Sequence, residues 1–207
     1  IKEIQYSLSD CNNVSGLQEA MNMLKRIASF LQDMNHPFLA KIYDYFFDID
    51  EKKGARFFVV MELVEGKPLE DILAEYRKEG KSLSAKHIFK TISNICDAMY
   101  YSHNKKPFPI AFINLKPSNI IITEESIVRL IDFGVARRYD PSKDYDTVRL
   151  GTPGYAAPEQ CRKKGQSIPQ SDMYALGVLM HQLLTLYEPS VTPFKLPAVR
   201  SLNATAS

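Results

Sequence analysis

The sequence predicts an α+β chain in which a strand-rich N-terminal third is followed by a helical remainder. Three observations carry that expectation. Short apolar runs of strand type occupy the chain up to about residue 62, and beyond Gly66 apolar residues recur every three or four positions. The run Glu65-Gly66-Lys67-Pro68 separates the two patterns and divides the chain into 1–65 and 66–207. With 207 residues, 45% of them hydrophobic and 24% charged, the chain can bury a sizeable core.

Residues 1–6 alternate enough for a short strand, and the Ser-, Asn- and Asp-rich run 9–16 reads as a loop ending on glycine. A helix follows, with Leu17, Met21, Leu24, Ala28, Leu31 and Met34 at helical intervals, and Pro37 ends it. Residues 39–47 and 56–62 are strand candidates, and the charged segment 48–54 is expected to be the hairpin turn between them. Past Gly66, residues 69–76 form a short helix. Ser84 is expected to cap a longer one reaching about His103, with Ile88, Ile92, Ile95, Cys96 and Met99 on its packing face. Residues 120–122 and 128–131 read as strands around the turn 124–126, and 134–149 as a polar loop. Ser171 is expected to cap a central helix bearing Leu176, Leu179, Met180, Leu183 and Leu184.

Composition excludes several function classes. Twenty-six basic against twenty-four acidic residues give a net charge of +2, which carries no nucleic-acid signature. The apolar stretches 110–122 and 173–186 fall short of the roughly 20 residues a bilayer requires, so no membrane contact is expected. Cys11, Cys96 and Cys161 match neither a zinc spacing nor a disulfide framework, which points to a reducing, cytoplasmic setting. The four histidines suggest no metal site. The chain opens on what reads as mid-strand and closes on a polar run, so a fragment truncated at both ends is expected, with room for a membrane anchor or further domains in a longer parent.

Five motifs carry the chemistry. They are Asn114-Leu115-Lys116-Pro117-Ser118-Asn119, then Asp132-Phe133-Gly134, Gly151-Thr152-Pro153-Gly154-Tyr155, Ala157-Pro158-Glu159, and Ser171-Asp172-Met173-Tyr174-Ala175-Leu176-Gly177. Each alone is weak. In this order and spacing they resemble the catalytic loop, metal-binding loop, activation-segment end and underlying helix of protein kinases. The resemblance covers essentially the whole chain and implies a two-lobed fold, with a small β-rich N-lobe and a helical C-lobe. Leu115-Lys116-Pro117 and Gly151-Thr152-Pro153 resemble serine/threonine kinases, and the string from Gly151 to Gln160 looks like bacterial relatives, as does Pro193-Phe194-Lys195-Leu196-Pro197.

Phosphoryl transfer needs metal, charge and orientation more than covalent chemistry from the protein. Asp132 offers Mg²⁺ a carboxylate oxygen and Asn119 an amide oxygen, both hard ligands. Lys116 is suited to neutralise charge on the transferred phosphoryl group. The resemblance further implies ATP as cofactor, Lys2 as the nucleotide-phosphate lysine, and Met61-Glu62-Leu63-Val64 as the adenine-contacting hinge. Ile121 is expected to border the nucleotide. Glu19 is a natural helix partner for Lys2, although counting back from Asn35-His36-Pro37 puts Ile27 at that position; the two registers stay open. Asp172 is expected to hold the catalytic-loop backbone and Thr152 to orient the loop, while Thr147 is a candidate phosphoacceptor. Glu159 resembles a residue that pairs with an arginine further along the family's helical lobe.

The departure lies at Phe112-Ile113-Asn114, where the family has His-Arg-Asp. Isoleucine cannot pair with a phosphorylated activation-loop residue. An amide can orient a hydroxyl but cannot accept its proton. Three readings follow: a kinase-like domain that binds ATP and Mg²⁺ with impaired transfer to protein hydroxyls; an active kinase tolerating, or engineered with, Asn114; and a nucleotide-independent scaffold for a regulatory protein partner.

Overall fold

The structure, a computed structural model, describes residues 2–5, 22, 25, 28–29, 31–50, 54–107, 109–131, 137–138, 151–161 and 167–205. The chain forms two compact units, Ile1–Leu63 and Val64–Ser207.

The first unit is built on a three-stranded antiparallel sheet in the order β1 (Lys2–Gln5), β3 (Gly54–Met61), β2 (Ile42–Asp50). Period-two alternation gives the sheet two unlike faces. Phe57 and Val59 are buried on one, where Phe57 meets Phe47 with ring centroids 4.7 Å apart. On the other, Phe46 and Phe58 stack at 5.0 Å and the Arg56 guanidinium lies 5.5 Å from the Phe58 ring. The sheet extends past the expected turn. Asp48, Ile49 and Asp50 belong to β2 and pair with Arg56, Ala55 and Gly54. Charge did not stop the strand because Asp48 forms an ion pair with Arg56 directly across it. Residues 22, 25, 28, 29, 31 and 32 are helical, and Ala28, Leu31 and Met34 are buried. The expected loop at 9–16 lies outside the described residues.

In the second unit, β4 (Lys67–Pro68), β6 (Ile120–Ile122) and β7 (Val128–Leu130) form an antiparallel sheet. A Cβ on Gly66 would lie 2.5 Å from the Ile122 carbonyl oxygen, and its φ of 147° suits no other residue. Helix α1 (Leu69–Glu79) runs three residues beyond expectation, until Gly80 closes it in the left-handed conformation at φ 64°. Helix α2 (Ala85–His103) starts as expected, with the Ser84 hydroxyl accepting from the His87 N–H at 3.3 Å. Its buried face is Ile88, Ile95, Ala98, Met99 and Ser102. Cys96 is exposed, contrary to expectation, since one residue past Ile95 turns it about 100° off that face.

A two-stranded ribbon pairs β5 (Ile110–Ala111) with β8 (Arg137–Arg138), so part of the expected polar loop is strand. A short helix α3 (Pro158–Cys161) precedes α4 (Pro169–Thr185). Helix α4 begins two residues earlier than expected. Pro169 has φ pre-set for a first helical position, and Ser171 lies inside the helix, its hydroxyl accepting from the Ile168 N–H at 3.2 Å. Ala175, Leu176, Val178, Leu179 and Leu183 are buried along α4, whereas Met180 is exposed. Each fully buried leucine contributes roughly 1.5–3 kcal/mol of hydrophobic stabilisation. Among the described residues, no helix is long and apolar enough to cross a membrane.

Candidate functional site

The Asn114 segment follows β5 and leads through a 3₁₀ turn, Pro117–Asn119, into β6. Pro117 favours that turn by its fixed φ, and the Asn119 N–H closes it on the Lys116 carbonyl at 3.0 Å. The side chain of Asn119 is buried, and its Nδ2 donates to the Asn114 carbonyl at 2.8 Å. The Asn119 carbonyl in turn accepts from the Ile131 N–H at 3.0 Å, so the residue before Asp132 is tied to Asn119. Asp132 itself lies outside the described residues. The Thr152 hydroxyl donates to Asn114 Oδ1 at 2.8 Å, as expected of a residue that orients the loop. Lys116 is half-buried and extended.

Asp172 anchors the loop from α4. It is 1% exposed, and its carboxylate accepts from the Ile113 N–H at 2.7 Å and from the Phe112 N–H at 2.8 Å. His103 Nε2 lies 2.8 Å from the same carboxylate and donates to it. A buried carboxylate is tolerable because three donors and the N-terminal end of a helix surround it. Ile113 has φ 69°, a left-handed conformation that costs a β-branched residue about 1–3 kcal/mol and persists only where its surroundings over-determine it. Its carbonyl accepts from Gln160 Nε2 at 3.1 Å, and Gln160 Oε1 accepts from the Ala157 N–H at 2.8 Å. The Ile113 side chain is 3% exposed.

The activation-segment end packs by similar means. Glu159 accepts from the Ser171 hydroxyl at 2.6 Å. The Tyr155 hydroxyl donates to Gln182, and burial, followed by the charge of Glu188, pushes its pKa well above the ordinary tyrosine range.

Thus Asn114, Asn119 and Thr152 are brought together in the second unit. Ile121 is buried in β6, paired with Pro68 and Arg129. Val64 is half-buried beside Leu63, which is 87% exposed. In the first unit, Lys2 is paired with Val59 at the backbone and Met61 with Ile42. Glu62 closes the end of the hairpin: its N–H donates to the Lys41 carbonyl at 2.8 Å, and its Oε2 accepts from the Lys41 N–H at 3.0 Å. Glu19 and Thr147 lie outside the described residues. Sequence reasoning missed Gln160 and the partnership of His103 with Asp172. The Ile113 carbonyl lies 47 residues from Gln160 and Asp172 lies 69 from His103, and no local pattern marks either pairing.

Comparison with known proteins agrees with this geometry. The family description "Protein kinase domain" matches residues 7–196. The chain is 28% identical over 172 residues to a probable serine/threonine-protein kinase nek2 of Dictyostelium discoideum, covering 83% of this chain and 40% of that protein. It is 33% identical over 169 residues to calcium-dependent protein kinase 5 of Plasmodium falciparum, covering 80% and 27%. It is 33% identical over 165 residues to the serine/threonine-protein kinase PknB of Mycobacterium tuberculosis, covering 78% and 25%. The chain therefore spans well under half the length of these relatives. It belongs to the protein kinase family, as an α+β domain of the eukaryotic-like serine/threonine type.

Proposed function

We propose that this domain binds ATP and Mg²⁺ but transfers phosphate to protein hydroxyls slowly or not at all, because Asn114 stands where the family has its catalytic aspartate. One observation carries the reading: Asn114 Oδ1 already accepts from Thr152. Held there, the amide presents a substrate hydroxyl with a weakly basic oxygen and an Nδ2 donor, and neither takes up its proton as a carboxylate would.

The residues present suit the metal. Commitment of Asn119 Nδ2 to the Asn114 carbonyl leaves Oδ1 as the hard oxygen for a cation, with Asp132 adjoining the Ile131 tie. Bound Mg²⁺ would neutralise phosphate charge. Lys116 would stabilise charge on the transferred group. Lys2, with Glu19 as its partner, would hold the nucleotide phosphates, and Met61, Glu62, Val64 and Ile121 would contact the base. In this reading 1–65 is a partial N-lobe and 66–207 a partial C-lobe, and the partner is a protein substrate or regulator, with no nucleic acid and no membrane contact within these residues.

Substituting Asn114→Asp in the full-length protein tests the lost base. Phosphotransfer is expected to rise by about 10²–10⁴-fold; equal rates in the two proteins would sink the reading. Ile113→Arg is a poorer test, since it would force a guanidinium into a buried position. Magnesium-dependent stabilisation by ATP is expected in a thermal melt, and its absence would favour a nucleotide-independent scaffold.

A further inference from the structure

We propose that Gln160 is a positioning residue that latches the end of the activation segment onto the Ile113 backbone, holding the catalytic loop without any phosphate group. The feature to be explained is Ile113 itself. A β-branched residue at φ 69° needs restraint on both sides of its backbone. Asp172 restrains the N–H at 2.7 Å, and Gln160 restrains the carbonyl at 3.1 Å.

Gln160 suits this work because its amide has two polarities. Ala157 presents an N–H and therefore requires an oxygen; Ile113 presents a carbonyl and therefore requires a nitrogen. Those two partners fix the orientation of the amide. Glutamate would keep the first contact and lose the second, and methionine would lose both. The side chain is 5% exposed, so water competes poorly for either partner.

The latch also accounts for the loss of the family's arginine. The Ile113 side chain is buried and apolar, so it offers a phosphate on the activation loop no cation of its own. Contact between the two segments runs through the Ile113 carbonyl instead, and a glutamine amide carries no titratable or phosphorylation-dependent charge. The Thr152 hydroxyl on Asn114 adds a second tie from the same segment. Both ties therefore hold the loop through groups whose charge does not depend on phosphorylation.

Hydrogen exchange of the chain and two variants tests this. In Gln160→Met, amides of 112–119 are expected to exchange about tenfold or more faster, while those of 175–183 in α4 stay within about twofold. Unchanged exchange at 112–119, or an equal rise in both segments, would overturn the latch. In Gln160→Glu, exchange corrected for intrinsic pH dependence is expected to be fast at neutral pH and to slow as acid protonates the carboxyl and restores a donor. Loop protection independent of pH in that variant would also refute it, even if the methionine variant fails to fold. Because the readout is backbone protection, failure here leaves the phosphotransfer reading untouched, and a fast unaltered enzyme leaves the latch untouched.

Discussion

The outer face of the N-terminal sheet and the catalytic loop of the second unit are stabilised in opposite ways. On the sheet, stacked Phe46 and Phe58 and the pair of Arg56 with Asp48 lie directly across adjacent strands and are partly open to water. Each such contact is small, and several share the load. In the loop a few buried polar groups carry most of the load: Asp172 takes two backbone N–H groups and a histidine, and Gln160 takes one N–H and one carbonyl. A strand pair can lose one side chain and keep its ladder. A strained loop cannot lose its anchor, because each abandoned partner remains buried.

Substitution at the anchor is the most severe way to probe that contrast. Asp172→Ala strands two buried N–H groups, each worth about 1–3 kcal/mol, so a loss of roughly 2–6 kcal/mol is expected in a urea titration. A loss below about 1 kcal/mol would mean that the loop holds itself.

Tyr155 gives a middle case with a pH signature. Its folded-state pKa is raised, first by burial and then by Glu188, so the folded form retains a proton that the unfolded chain releases. The associated stability is fully present below the unfolded value and declines above about pH 10. Tyr155→Phe is expected to cost about 1 kcal/mol at neutral pH through the lost bond to Gln182, and to flatten the alkaline decline. Parallel pH curves for the two proteins would contradict this.

The smallest effect belongs to the sheet. Arg56→Ala removes a partly exposed ion pair and a contact with Phe58, for an expected loss of below about 1 kcal/mol that shrinks with added salt. A loss comparable to that of Asp172→Ala would erase the distinction between the two regions.

Legibility in the sequence follows the same division. Strand alternation, the Ser84 cap and the buried face of α2 are local patterns, and they were readable apart from Cys96. The charged segment 48–50 looks like a turn in the sequence until its partner across the strand is known. The start of α4 is ambiguous in the sequence because a serine can serve a helix from the third position as well as from the cap. At the site, motif order was enough to single out Asn114, Asn119, Thr152 and Asp172. Gln160 escaped notice since a lone glutamine after Ala157-Pro158-Glu159 has no marked chemistry of its own.

By itself, then, the sequence determined the family, most of the succession of strands and helices, and the presence of an amide at Asn114 within its motif. Those properties depend on residue identity and short spacing. Tertiary structure alone decided that Asn114 Oδ1 is taken up by Thr152 and that Ile113 is a buried, left-handed residue held between Asp172 and Gln160. The reason is geometric. A hydrogen bond is set by ångström-scale distance and direction, and these partners lie 38 to 59 residues apart along the chain.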